Sequence, residues 1–94
     1  MILNYRGKRT GAFAEGTFVR EFSSFDRPAW KRLEILNAAK NLSELRALPG
    51  NRLEALKGDR EGQFSIRINL QWRICFIWAS HDLGPSEVEI VDYH

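Results

Sequence analysis

Gln63-Phe64-Ser65-Ile66-Arg67-Ile68-Asn69-Leu70-Gln71-Trp72-Arg73-Ile74-Cys75-Phe76-Ile77-Trp78 is the stretch whose reading decides the fold. Apolar side chains recur at every second position on both sides of Asn69-Leu70-Gln71. Phe64, Ile66 and Ile68 come before it; Trp72, Ile74, Phe76 and Trp78 come after it. A period of two is that of a half-buried strand. Both stripes can face one core only if the numbers of opposed residues sum to an even number. A three-residue loop over Asn69-Leu70-Gln71 satisfies this and sets Ile68 opposite Trp72. A two-residue loop would set Trp72 against Arg67 and Arg73 against Ile66, scrambling the faces. The register therefore puts Arg67 opposite Arg73, on the face away from the aromatic stripe. Like charges directly opposed in a sheet cost a few tenths of a kcal/mol. Such a pair is easier to understand beside an anion; the alternative is that both side chains splay into solvent or reach carboxylates.

Outward from the hairpin, Lys57-Gly58-Asp59-Arg60-Glu61-Gly62 has the glycine spacing of a tight loop and adds two cations to the same region. Leu53–Leu56 reads as a short strand ahead of it, and Glu87–Val91 as a final strand after a turn at Ser80–Pro85. Upstream the period changes to that of a helix. Asp26-Arg27-Pro28 is a helix start, with Asp available to cap free N–H groups and Pro tolerated in the first turn. Ala29, Trp30, Leu33 and Leu36 follow at helical spacing, to about residue 40. A shorter turn, Ser43–Leu48, is closed by Pro49-Gly50. Gly7–Glu15 reads as a short helix stopped at Gly16, after a first strand at Ile2–Tyr5. Phe13, Phe18, Val19 and Phe22 are available to cover a core.

Ninety-four residues suit one domain, 1–94. A 44% apolar and 12% aromatic composition excludes a disordered chain. No apolar run approaches the roughly 20 residues of a membrane span. Charge appears too soon after Met1 for a signal peptide, so a cytoplasmic protein is expected. One cysteine, Cys75, excludes an internal disulfide and argues against a cysteine-based metal site. Residues 1–73 carry all fourteen Lys and Arg against eight acids, a charge of +6; residues 74–94 carry four acids and no Lys or Arg, a charge of −4. Such an asymmetry describes either a solvated mixed-charge surface or a polyanion-facing one.

Neither His81 nor His94 belongs to a metal-binding pattern, and no phosphate-binding glycine loop or nucleophile elbow is present, so no cofactor is expected. What remains is a cation set, Lys57, Arg60, Arg67 and Arg73, and an acid–base set, Asp92, Tyr93 and His94. RNA cleaves itself when its 2′-hydroxyl is aligned on the adjacent phosphate. A catalyst then needs a base, an acid and cations for the phosphorane charge. Each residue also has a plainer reading. Lys57 and Arg60 can line a surface turn, and Arg73 can be a cation–π partner of an aromatic. Tyr93 can sit at the core edge, Asp92 can pair with an Arg, and His94 can fray. Cys75 reads as a small core residue and His81 as a solvated turn residue.

Three elements resemble the HigB-type toxins of bacterial toxin–antitoxin systems, relatives of the RelE group. They are Leu53–Gly62, the hairpin Ser65–Phe76, and Asp92-Tyr93-His94. The resemblance implies a RelE-like α+β fold, a mainly antiparallel sheet with N-terminal helices packed on one face. It implies an endoribonuclease that cuts mRNA in the ribosomal A site and stops translation. It further implies a HigA-like helix-turn-helix antitoxin as partner, with operator DNA bound only through the complex. Position by position, it brings Lys57, Arg73, Asp92, Tyr93 and His94 to the active site. Some HigB toxins have His where this chain has Glu54. Glu54 can act as a base but cannot supply the charge of an imidazolium, so proton donation shifts to His94 or Tyr93. The expected roles follow: Lys57 and Arg73 on the scissile phosphate, Arg60 and Arg67 on neighbouring phosphates, and Asp92 or Glu54 as base. The competing expectations are a module that binds RNA or protein without cutting, and a decayed toxin kept as a partner for its antitoxin.

Overall fold

A computed structural model describes residues 1–93; His94 lies outside the described residues. Helix α1 (Lys8–Ala14) buries Thr10 and Phe13 and gives way to Gly16, whose φ of 96° is the left-handed stop that glycine adopts without strain. A 3-10 segment, Arg20–Phe25, leads into α2 (Asp26–Ala38), which buries Ala29, Leu33 and Leu36 along one stripe. Two details differ from expectation. Asp26 is itself helical and makes no side-chain cap hydrogen bond, and α2 ends at Ala38 because Ala39 is extended (φ −67°, ψ 139°). Helix α3 (Leu42–Arg46) has the better cap. Asn41 Oδ1 accepts from Glu44 N at 3.0 Å, while the Glu44 carboxylate accepts from Lys40 N at 2.8 Å. Each side chain thus satisfies a backbone donor near the helix start.

Four strands, β1 (Glu54–Ala55), β2 (Phe64–Arg67), β3 (Trp72–Ile77) and β4 (Ser86–Asp92), form an antiparallel sheet in the order β1-β2-β3-β4. The hairpin has the even-sum register: Phe64 faces Phe76, Ile66 faces Ile74 and Arg67 faces Arg73. Ile68 N donates to Trp72 O at 3.0 Å, which closes the three-residue loop. Inside that loop Asn69 Oδ1 accepts from Gln71 N at 2.9 Å and Trp72 N at 2.8 Å. One side chain therefore satisfies two turn donors, which is why Asn stands there.

The helices and the inner face of the sheet share one core, with Phe13, Phe22, Leu33, Leu36, Ile66, Ile74, Phe76, Val88 and Ile90 all buried. Trp72 seals its edge by stacking on Phe25 at 4.7 Å. The architecture is α+β, with the helices on one face of the sheet. Three expectations contract. The first strand reduces to a single parallel bridge, Tyr5 to Val88, and the Leu53–Leu56 strand to two residues. Phe18 is 76% exposed and covers no core.

Candidate functional site

The register lays out the sheet face that the helices leave open. Glu54, Ser65, Cys75 and Glu89 are consecutive partners across all four strands and form one row. Arg67, Arg73 and Val91 form the adjacent row. Tyr93 follows Val91 by two residues, and its ring lies 5.9 Å from the Arg73 guanidinium carbon, within cation–π range.

Arg73 is the organising residue of this face. Its Nε donates to Ser65 Oγ at 2.7 Å, and its Nη2 donates to the Arg52 carbonyl at 2.6 Å. Both acceptors are neutral, so they fix the guanidinium without cancelling its charge. Arg67, its opposed partner, turns back on the hairpin, donating from Nε to Asn69 O at 3.2 Å. Among the described residues neither arginine reaches a carboxylate. The like-charge pair is thus resolved by steering the two guanidiniums toward different neutral acceptors.

The arrangement separates the other expected residues. Arg60 donates to Gln63 Oε1 at 3.1 Å and pairs with Glu89 at 3.6 Å. This contact runs from the β1–β2 connection to β4, across the row that holds Ser65 and Cys75. Those two side chains are 0% exposed although they belong to the open face, and Leu56 is buried outside the main core. Burial pushes the Cys75 thiol up; the nearby Arg60 and Arg73 charges pull against that, and Glu89 adds to it. Cys75 is therefore a protonated packing residue beneath a polar clasp, and part of the Arg60 charge is spent on Glu89. Lys57 is exposed at the turn after β1, and its side chain has no polar partner among the described residues. Glu54 is exposed on β1, one strand from Ser65 and on the same face as Arg73.

Asp92 does not join Arg73 on this face. It is the register partner of Trp72, on the side of the sheet that carries Ile90 and Val88, and its Oδ2 accepts from Gln71 Nε2 at 3.0 Å. Tyr93, the next residue, lies with Arg73. His94, the last of the three, lies outside the described residues. Two contributors escaped the sequence reading, Ser65 and the Arg52 carbonyl. Ser65 was findable in principle, because it is diagonal to Arg73 once the register is known. The Arg52 carbonyl depends on a left-handed backbone (φ 48°) that no motif signals. Among the described residues no cluster of three or more His, Cys, Asp or Glu could hold a metal ion, and no helix is long and apolar enough to cross a membrane.

The family model of the RelE-like toxin HigB of type II toxin–antitoxin systems matches residues 15–94. The chain belongs to the HigB-like toxin family. The match takes in the whole sheet of this HigB-like chain, and with it Glu54, Lys57, Arg73 and Asp92-Tyr93-His94. Among curated relatives, the chain is 48% identical to Toxin HigB-1 of Vibrio cholerae over 57 residues, 61% of this chain and 60% of that one. It is 38% identical to Endoribonuclease HigB of Proteus vulgaris over 63 residues, 67% of this chain and 65% of that one. It is 30% identical to an uncharacterised protein of Haemophilus influenzae over 64 residues, 68% and 63%. The chain thus spans somewhat under two-thirds of the length of these relatives.

Proposed function

We propose that this HigB-like chain is a toxin endoribonuclease that cleaves mRNA and so inhibits translation. The observation that carries the reading is the held, uncancelled Arg73 guanidinium beside Tyr93 on the sheet face that the helices leave open. A fixed cation costs no reorganisation as charge develops on a phosphate, and an adjacent aromatic gives an unstacked base somewhere to rest. Family membership and the likeness to Endoribonuclease HigB of Proteus vulgaris support the same reading.

In the reaction the RNA 2′-oxygen attacks the adjacent phosphorus, forming the P–O2′ bond while the P–O5′ bond breaks. Arg73 stabilises the phosphorane oxygens, with Lys57 reaching in from the turn after β1 and Arg67 holding a neighbouring phosphate. Glu54 takes the proton of the 2′-hydroxyl; it shares the Arg73 face, whereas Asp92 is across the sheet. Tyr93 or His94 returns a proton to the leaving 5′-oxygen. The products are a 2′,3′-cyclic phosphate and a 5′-hydroxyl, and the chemistry needs no metal. The net charge of only +2 suits a modest affinity for free RNA, with the message delivered in the ribosomal A site. A helix-turn-helix antitoxin would hold the toxin in check in the cytoplasm, and operator DNA would be met only through that complex.

The test is to incubate the purified chain with programmed ribosomes and map the ends of the message fragments. Fragments with a 2′,3′-cyclic end are expected, with a rate lower by roughly 10²–10³-fold in Arg73→Ala. An uncut message, or an Arg73→Ala variant that cuts as fast as the parent, overturns the reading. Equal cutting of naked RNA removes the ribosome from it.

A further inference from the structure

A cavity lies mainly on the other side of the sheet from Arg73, although Glu89 of the Arg73 face also lines it. It is a groove of about 430 Å³ between the start of α1, the 3-10 segment and the ends of β3 and β4. That is within the size of small-ligand sites, roughly 300–1,000 Å³. Arg6, Lys8 and Arg9 line it near the start of α1, Phe22 and Trp72 give it an aromatic wall, and Glu89 and the exposed Asp92 line it from β4. All three cations are exposed. Arg9 is loosely paired with Glu21 at 3.8 Å, while the side chains of Arg6 and Lys8 have no polar partner among the described residues. In the aromatic wall Trp72 meets Phe22 edge-on at 5.8 Å and is itself only half-buried.

Cations beside an aromatic surface are what a single-stranded nucleotide requires, one for its phosphate and one for its base. The Glu89 and Asp92 carboxylates disfavour a phosphate on the β4 side, which leaves the Arg6 and Lys8 side for it. Position adds a second argument. Trp72 and Asp92 are register partners, and Arg73 and Val91 are the next pair along the same two strands. The groove and the Arg73 face therefore meet at one end of the sheet, on opposite sides of it. A chain that leaves Arg73 past Tyr93 reaches the groove by rounding the end of β4.

We propose that this groove is a second RNA subsite, holding the single-stranded segment that flanks the one at Arg73. Arg6 and Lys8 contact its phosphates, and a base lies against Trp72. The proposal rests on the reading that RNA crosses the Arg73 face. It assigns a role to cations that precede the residues matched by the family model.

The experiment measures binding, not cleavage, by the full chain. The probes are two single-stranded RNAs blocked by 2′-O-methyl groups, a trinucleotide and a longer oligonucleotide. In Arg6→Ala/Lys8→Ala the affinity for the longer RNA falls about tenfold, and the slope of log affinity against log salt becomes shallower by about 1.4, two phosphates at ~0.7 each. Trinucleotide binding is unchanged, and Arg6→Lys/Lys8→Arg behaves like the parent. Equal loss for both lengths, or an unchanged salt slope, overturns the subsite. So does a variant that binds both RNAs normally but loses an acidic protein partner, which would make the groove a protein-docking surface. A length-dependent loss in Arg6→Ala/Lys8→Ala together with a parent chain that cuts no message sinks the enzymatic reading and leaves the groove as an RNA site.

Discussion

The two faces of the hairpin are built from alternate residues of the same sixteen-residue stretch, yet they are stabilised in different ways. On the inner face Ile66, Ile74 and Phe76 are buried by other apolar groups, and each is held by packing alone. On the outer face Ser65 and Cys75 are buried as completely, but by a clasp of charged side chains. Inner-face contacts satisfy everything they touch. Outer-face contacts hold Arg73 in place and leave its charge available. Stability should therefore reside mainly on one face and activity on the other.

Substitutions can break that comparison. The largest effect belongs to Phe76→Ala, which removes a fully buried ring and should destabilise the fold by about 3–5 kcal/mol in urea unfolding. If the loss is no greater than that of an exposed substitution, the inner face is not the principal core. Arg73→Ala comes next, with its effect on the other axis: message cleavage falls by the 10²–10³-fold already given, while the unfolding midpoint moves far less than in Phe76→Ala. Ser65→Ala should be intermediate. It leaves the Arg73 Nε without its acceptor, at about 1–2 kcal/mol, which reads as roughly a tenfold loss of cleavage with modest destabilisation. Cleavage at the parent rate in Ser65→Ala would mean that the Arg52 carbonyl alone orients Arg73.

The smallest effect concerns pH. Burial raises the Cys75 thiol above its ordinary 9.0, so the folded chain keeps a proton that the unfolded chain releases. The stability this contributes is present below 9.0 and is lost as pH rises through the folded value. Thermal melts of the parent should show a steeper alkaline decline than melts of Cys75→Ala. Parallel declines would mean that the clasp leaves the thiol solvated.

Much of the fold was legible because period-two patterning and loop parity are strict. Once Phe64 and Phe76 are required to share a core, Arg67 must oppose Arg73, and the structure agrees. The burial of Ser65 and Cys75 was not legible. It depends on Arg60 reaching Glu89, a contact between residues far apart in sequence that no local pattern encodes. Phe18 misled because an aromatic next to a glycine turn carries no periodicity to say which way it points. Asp92-Tyr93-His94 holds a different lesson. Neighbours on a strand alternate between faces, so Asp92 and Tyr93 had to separate, and the sequence-level rule that fixed the hairpin also divides this tripeptide.

The Arg52 carbonyl that receives Arg73 has a genetic consequence. Every residue type carries that oxygen, so a side-chain scan through position 52 leaves the acceptor chemically intact. Only a change in how the main chain bends there can withdraw it, and Arg52 is one of two non-glycine residues with a positive φ among those described. Glycine would keep the bend at little cost, whereas a β-branched residue would resist it. Half of the grip on the central cation is thus silent to most point mutations and vulnerable to a few that alter no hydrogen-bonding group at all.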